Sequence, residues 1–304
     1  MSESDQPLAW RLRSIVGEEN VFADEPMSEH TTFKVGGPAD LFVTPEDPDE
    51  VREVLLACDE AGVSRFVMGR GSDLLVSDDG YRGVIVSLAE CLVGVSVDGT
   101  EMTCQAGVDL REASEMACEL GLSGLEFACG IPGSIGGACF MNAGAYGGCV
   151  ADVLKSVRVL LPDGSQETIG VDDLNLGYRR SRVASDGLVV LSATFALEKG
   201  DPEKIRATMD DLMRQREEKQ PLEMASAGST FKRPEGYFAG KLIMDAGLQG
   251  YRVGGAEVSR KHAGFVVNAG GATAADVHAV IEHVQDEVER QFGVRLEPEV
   301  RFLG

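Results

Sequence analysis

Residues 130–148 read GIPGSIGGACFMNAGAYGG, and seven of these nineteen positions are glycine. Glycine costs conformational entropy, so a chain spends it where the backbone must take positive φ or approach another surface closely. Successive turn N–H groups can also form a concavity that holds a phosphate. Gly130, Gly133, Gly136 and Gly137 are too close together for one turn. Two readings stand: a pair of tight turns between strands, or a loop laid against a ligand. A Rossmann loop is excluded, because Gly69 and Gly71 supply GxG but Leu74 occupies the next required position. A Walker loop is excluded as well, since Gly240-Lys241 is followed by Leu242 and has no glycine at the required upstream position.

Working outward, the segments on both sides alternate between helix and strand patterns. PDEVREVLLACDEAG (48–62) has apolar positions at helical spacing, and SRFVMGRGSDLLVS (64–77) reads as a strand running into a glycine turn. GVIVSL, VGVSVDG and EMTCQAG are short strand-like runs, followed by the helix DLREASEMACELG. Beyond the glycines, VLKSVRVLLPDG and LVVLSATFALEKG read as strands. The charged helix DPEKIRATMDDLMRQREEKQP (201–221) then leads into a second unit. That unit carries GSTFKRP, AGFVVNAGG, the helix AADVHAVIEHVQDEVERQFG and a terminal strand RLEPEVRFLG. Strands and helices in this irregular order predict an α+β fold.

Bulk properties narrow the function. A chain of 304 residues with 43% hydrophobic content supports one large or two ordinary domains. A net charge of -22 repels phosphate polymers and anionic membranes, so no nucleic-acid or membrane partner is expected. An anionic small ligand must therefore meet locally placed Arg, Lys or backbone N–H groups. No run approaches the ~20 apolar residues of a membrane span, and MSESDQPLAWRLRS lacks a signal pattern, which predicts a cytoplasmic protein. The seven cysteines are odd in number and form no CxxC pair, so they read as reduced thiols. The four histidines make no metal motif, and no metal site is expected.

HTTFKVGGPADLFV, MGRGSDLLVSDDGYRGVIV, LSGLEFACGIPGSIGGACFMNAGAYGG, LGYRRSRV, AGSTFKRP and LEPEVRFLG, in this order, resemble the motifs of the UDP-N-acetylenolpyruvoylglucosamine reductases. They span about residues 30–304. The resemblance implies an N-terminal segment (1–24) and an FAD-binding domain of the vanillyl-alcohol-oxidase (PCMH) type (25–200, two subdomains). A smaller α+β substrate-binding domain (201–304) follows. It implies noncovalent FAD, NADPH as hydride donor, a UDP-sugar enolpyruvyl ether as substrate, and a monomer. Under it, the glycines give up side chains so that the backbone can lie against FAD. The implied cofactor residues are Gly69, Gly71, Ser72, Asp73, Leu74, Leu75, Gly130, Pro132, Gly133, Ser134, Gly136, Gly137, Asn142, Gly144 and Ala145. Asp73 stands where the family usually shows Asn. The segment GYFAGKLIMDAGLQGYRVGGAEVS resembles the shorter subtype, which lacks a tyrosine loop over the substrate.

Reduction of an enolpyruvyl ether puts hydride on the terminal carbon, pushes charge toward the carboxylate and requires a proton on the neighbouring carbon. The resemblance assigns carboxylate polarisation to Arg179, the proton to Ser229 and the second acid to Glu299. Glu297, two residues earlier, shares a strand face with Glu299 by alternation, and the residues themselves do not choose between them. Tyr178, Lys232, Arg233 and Asn268 are the implied substrate contacts, with Lys232 and Arg233 suited to a diphosphate. His262 reads as a satisfied loop histidine, and Arg180 as surface. Two rivals remain: an FAD oxidase of the same superfamily, whose cap has no reason to carry GSTFKRP and LEPEV, and a non-catalytic nucleotide-sugar sensor, which would not need Arg179, Ser229 and Glu299 together.

Overall fold

The computed structural model describes residues 5–304, with side chains from residue 7 onward. The reading of the first four residues as part of a signal-free terminus lies outside them. The described chain forms two compact units, each discontinuous in sequence. The first comprises residues up to Ala23, Leu41–Arg70 and Gly83–Arg216, and the second Asp24–Asp40, Gly71–Arg82 and Glu217–Gly304.

The first unit holds six helices: α1 (Asp5–Val16), α2 (Pro48–Ala61), α3 (Leu110–Glu119), α4 (Ile135–Met141), α5 (Arg182–Ser185) and α6 (Pro202–Lys219, which ends just past the unit). Capping chemistry explains the limits of α2. The Asp47 carboxylate accepts from the N–H groups of Asp49 and Glu50, Pro48 opens the helix, and Gly62 closes it at φ 65°. The principal sheet is antiparallel, ordered Gln166–Gly170, Leu154–Leu160, Val189–Ala196, Glu101–Gln105, Val95–Asp98. Its central strand carries Leu191, Ala193 and Phe195 into the core by two-residue alternation. A second sheet contains Arg65–Met68 paired in parallel with Tyr81–Ser87. Helix α4 packs against Glu101–Gln105 and Val189–Ala196, which fixes the glycine-rich segment to the main sheet.

The second unit adds α7 (Ala239–Asp245) and α8 (Ala274–Phe292). Thr273 and Asp276 form a capping box at the start of α8, and Gly293 ends it at φ 69°. The Asp78 carboxylate also accepts from the Ala274 and Ala275 N–H groups at 2.7 and 2.9 Å. Val277, Val280, Ile281, Val284 and Val288 recur at helical spacing and are fully buried, the face that α8 lays on the sheet Arg252–Val253, Ala256–Val258, Val266–Asn268. Truncating such a residue to Ala costs about 2–5 kcal/mol.

Three elements differ from the sequence reading. Residues 135–141 are helical although Gly136 and Gly137 are poor helix formers, because Ser134 caps the turn and Ile135, Ala138 and Cys139 are buried. The terminal strand is short: Arg301–Leu303 pairs in parallel with Leu74–Val76, while Pro298 before it bridges separately to Phe231. Helix α1 carried no sequence expectation, and it forms where Leu8, Ala9, Leu12 and Val16 make one buried face that packs on α2. All seven cysteines are free thiols, and five are buried. Among the described residues no helix is long and apolar enough to cross a membrane.

Candidate functional site

In the first unit the glycine-rich segment is tied into the sheet by its own backbone. Leu110 N–H donates to Gly133 O at 3.0 Å, Ile135 N–H to Val108 O at 2.9 Å and Gly136 N–H to Ala106 O at 2.9 Å. Ser134 Oγ accepts from the Gly137 N–H. Close approach accounts for several glycines. A methyl group on Gly69 would lie 2.2 Å from Ser134 Oγ, and one on Gly136 would lie 3.1 Å from Ala106 Cβ. One on Gly130 would lie 2.8 Å from both Arg216 Cδ and Met213 Sδ. Gly133, beside Pro132, sits at φ 135°. Gly144 and Ala145 pair with Cys149 and Gly148, and the turn between them has Tyr146 at φ 53° and Gly147 at φ 87°, the signs of a type I′ hairpin.

Arg216 is the group that sequence reasoning missed. It lies in α6, is 9% exposed, and its Nε is buried without a hydrogen-bond partner. Burial lowers its pKa, opposed by the nearby Tyr146 and Cys129. Its burial against Gly130 sets it apart from the other arginines of the same helix. In sequence it is one arginine among the charges of MRQREEK, and only burial separates it from them.

Arg179 occupies a two-residue turn. Gly177 N–H donates to Arg180 O at 2.9 Å, and Arg180 N–H donates back to Gly177 O at 3.2 Å. Tyr178 and Arg179 form the tip, with Arg179 at φ 52°, and the Arg179 guanidinium carbon lies 5.1 Å from the centre of the exposed Tyr178 ring. Arg180 is exposed. Asn142 is 7% exposed; its amide donates to Gly177 O at 3.0 Å and its Oδ1 accepts from Ala151 N–H at 2.9 Å.

In the second unit Gly71 takes φ 60° and its carbonyl accepts from Thr32 N–H at 3.2 Å. Ser72 O accepts from Thr32 Oγ1, and Asp73 O accepts from Arg301 N–H at 2.8 Å. Leu74 and Leu75 are buried strand residues that pair with Arg301 and Phe302.

Glu299 and Thr230, the residue that follows Ser229, belong to the same local ladder. Glu299 N–H donates to Thr230 O and Lys232 N–H to Glu297 O, both at 2.8 Å, about a bridge between Phe231 and Pro298. Thr230 is fully buried: its N–H donates to Gly264 O and its Oγ1 accepts from Val266 N–H. The ladder thus presents the exposed Ser229 beside a fixed residue, one step from the half-buried Glu299. Glu297 forms an ion pair with Lys232. Arg233 lies 4.0 Å over the Phe238 ring. Asn268 is engaged in the fold, its Nδ2 donating to Phe33 O and its Oδ1 accepting from the Gly270 and Ala272 N–H groups. His262 Nδ1 accepts from Gly264 N–H at 3.1 Å, and burial lowers its pKa.

Comparison with known proteins covers both units. Residues 39–170 match a family model described as an FAD binding domain, and residues 220–303 match the C-terminal domain of UDP-N-acetylenolpyruvoylglucosamine reductase. The UDP-N-acetylenolpyruvoylglucosamine reductase of Clostridium beijerinckii is 53% identical over 287 residues, 94% of each chain. That of Geobacillus kaustophilus is 50% identical over 302 residues, 99% of each. The crystal structure of the reductase from Thermus caldophilus superposes with a TM-score of 0.80 at 34% identity, covering 92% of this chain and 97% of that one. With half of all positions identical across nearly the whole length, this chain belongs to the UDP-N-acetylenolpyruvoylglucosamine reductase family.

Proposed function

We propose that this chain is an NADPH-dependent flavoenzyme that reduces the enolpyruvyl group of UDP-N-acetylglucosamine enolpyruvate to the lactyl ether of UDP-N-acetylmuramate, a peptidoglycan precursor. The observation that carries the reading, beside family membership, is the ladder that sets Ser229 next to the Thr230–Glu299 pair.

The residues of the first unit fit FAD. The buried Arg216 guanidinium supplies positive charge for an anionic part of the cofactor, and Gly130, Pro132, Gly133, Ser134, Gly136 and Gly137 are the glycine-rich part of the proposed cofactor set. Gly69, Gly144 and Ala145 of the same unit, and Gly71, Ser72, Asp73, Leu74 and Leu75 of the second, complete the proposed cofactor set, whereas the Asn142 amide is committed to Gly177 O and Ala151 N–H. Bound FAD supplies the hydride carrier between NADPH and the enolpyruvyl double bond. Noncovalent attachment is supported by the thiols nearest the glycines. Cys139 is pushed up to about 12 and Cys129 is raised, both by burial, so neither is a ready nucleophile.

Arg179 binds the substrate carboxylate and draws charge onto it as hydride arrives; its planar fork suits that anion. Ser229 donates the proton to the neighbouring carbon. A hydroxyl is a weak acid, so this role needs a relay, and Glu299 is the second acid. Glu297 forms an ion pair with Lys232, and the resemblance rather than the pairing selects Glu299 for the role. Tyr178, Lys232, Arg233 and Asn268 are the proposed contacts to the UDP-sugar. The net charge of -22 supports a protein without nucleic-acid partners, and we place it as a cytoplasmic monomer.

The roles separate in half-reactions. Ser229→Ala and Glu299→Gln leave flavin reduction by NADPH at the wild-type rate and slow reoxidation by the enolpyruvyl substrate by about 10²-fold or more. Glu297→Gln stays within about twofold, since it gives up only a partly exposed ion pair. Anaerobic stopped-flow absorbance follows both steps. Equal loss of both half-reactions in Ser229→Ala would refute the proton-donor role, and damage from Glu297→Gln alone would move the second acid to that residue.

A further inference from the structure

We infer that Asn142 is a positioning residue for Arg179: it holds the backbone turn that presents the guanidinium to the substrate carboxylate. The inference rests on the proposed role of Arg179 and goes beyond it, because Asn142 was expected from the resemblance to touch the cofactor.

The turn Gly177–Arg180 is short, and its tip residue Arg179 sits at φ 52°, a region that disfavours a side chain with a Cβ. Such a conformation persists only where the surroundings impose it. The last turn of α4 supplies that constraint from two sides. Asn142 donates its amide to Gly177 O at 3.0 Å, and Phe140 O accepts from Ser181 Oγ at 2.6 Å. One clamp therefore precedes Arg179 and the other follows it. Ser181 also caps α5 through Ala184 N–H at 3.1 Å, so the far clamp is itself fixed.

Asn142 is suited to the task. It is 7% exposed and ends α4 in the left-handed region at φ 45°, which Asn tolerates better than most residues. Both ends of its amide are committed, Nδ2 to Gly177 O and Oδ1 to Ala151 N–H at 2.9 Å, so the side chain cannot rotate without losing two hydrogen bonds. A displacement of even an ångström in a polarising group is costly to a reaction that depends on its aim.

Two substitutions separate positioning from folding. Asn142→Asp keeps the acceptor for Ala151 and removes the donor to Gly177 O. Asn142→Gly keeps the left-handed helix end, where glycine is preferred, and removes both bonds. In FAD-loaded protein, both are expected to slow reoxidation by the enolpyruvyl substrate about tenfold. Flavin content, melting temperature and reduction by NADPH stay near wild type for at least one of them. The decisive comparison adds Asn142→Asp to Arg179→Gly. If Asn142 acts through Arg179, the second change slows reoxidation no further. Additive slowing in the double variant, or equal slowing of both half-reactions in each single variant, would overturn the inference. A wild-type protein that the enolpyruvyl substrate does not reoxidise would overturn the function itself, and this inference with it.

Discussion

Arg179 at φ 52° holds an arginine where a turn of this kind ordinarily places glycine. Left-handed backbone costs about 1 kcal/mol for a residue with a Cβ, so this chain gives up stability to keep a guanidinium at the turn tip. Arg179→Gly is therefore expected to hold or raise the melting temperature in calorimetry while reoxidation by the enolpyruvyl substrate falls by about 10²–10³-fold. A variant that melts lower and retains its rate would remove both the strain and the catalytic assignment. At this scale the sequence was legible through ordered motifs rather than through single residues. Ser229 in AGSTFKRP and Glu299 in LEPEV are indistinguishable from turn and edge residues by spacing. What picks them out physically is Thr230, whose burial and three hydrogen bonds no periodicity announces. Arg216 was invisible for the same reason: burial of a lone arginine is a property of the packed helix, not of its neighbours in sequence.

The elements with strong periodicity were readable. PDEVREVLLACDEAG is α2, and AADVHAVIEHVQDEVERQFG is α8 with its glycine end. The glycine stretch was readable only in part. Glycine density argued for turns, yet the cap at Ser134 and the apolar positions Ile135, Ala138 and Cys139 make residues 135–141 a helix, because tertiary burial outweighs weak propensity. RLEPEVRFLG alternates like one strand but pairs over only three residues, since Pro298 cannot donate to a ladder and its neighbours pair with the 230–232 segment instead. The loop Ser259–Phe265 carries a prediction of its own. Ser259 N–H donates to Phe265 O at 2.8 Å, and His262 lies within the loop with its ring edge-on to Phe265 at 5.1 Å. Burial lowers the His262 pKa below its ordinary 6.5. The unfolded chain then binds the proton first as pH falls, so stability is fully present above pH 6.5 and is lost as pH drops through the lower folded value. Melting temperature should fall more between about pH 7.5 and pH 5 in wild type than in His262→Gln. Parallel curves would mean that the imidazole is not held neutral by its site.

At the scale of the molecule, the sequence supplied class and exclusions: an acidic α+β chain with apolar content for one large or two ordinary domains, and no motif for a Rossmann or Walker site. It gave no indication that the compact units would be discontinuous, because the short segments 24–40 and 71–82 look like continuations of their neighbours in sequence. Their grouping with the C-terminal unit comes from non-local pairing, such as Leu74–Val76 with Arg301–Leu303. The central claim concerns the whole assembly of cofactor, donor and acceptor, and one anaerobic absorbance titration of the purified protein reaches all three. The account predicts a yellow protein whose flavin band is bleached by NADPH and restored by UDP-N-acetylglucosamine enolpyruvate in proportion to the amount added. Bleaching by NADPH followed by recovery with oxygen, but not with that substrate, would contradict it.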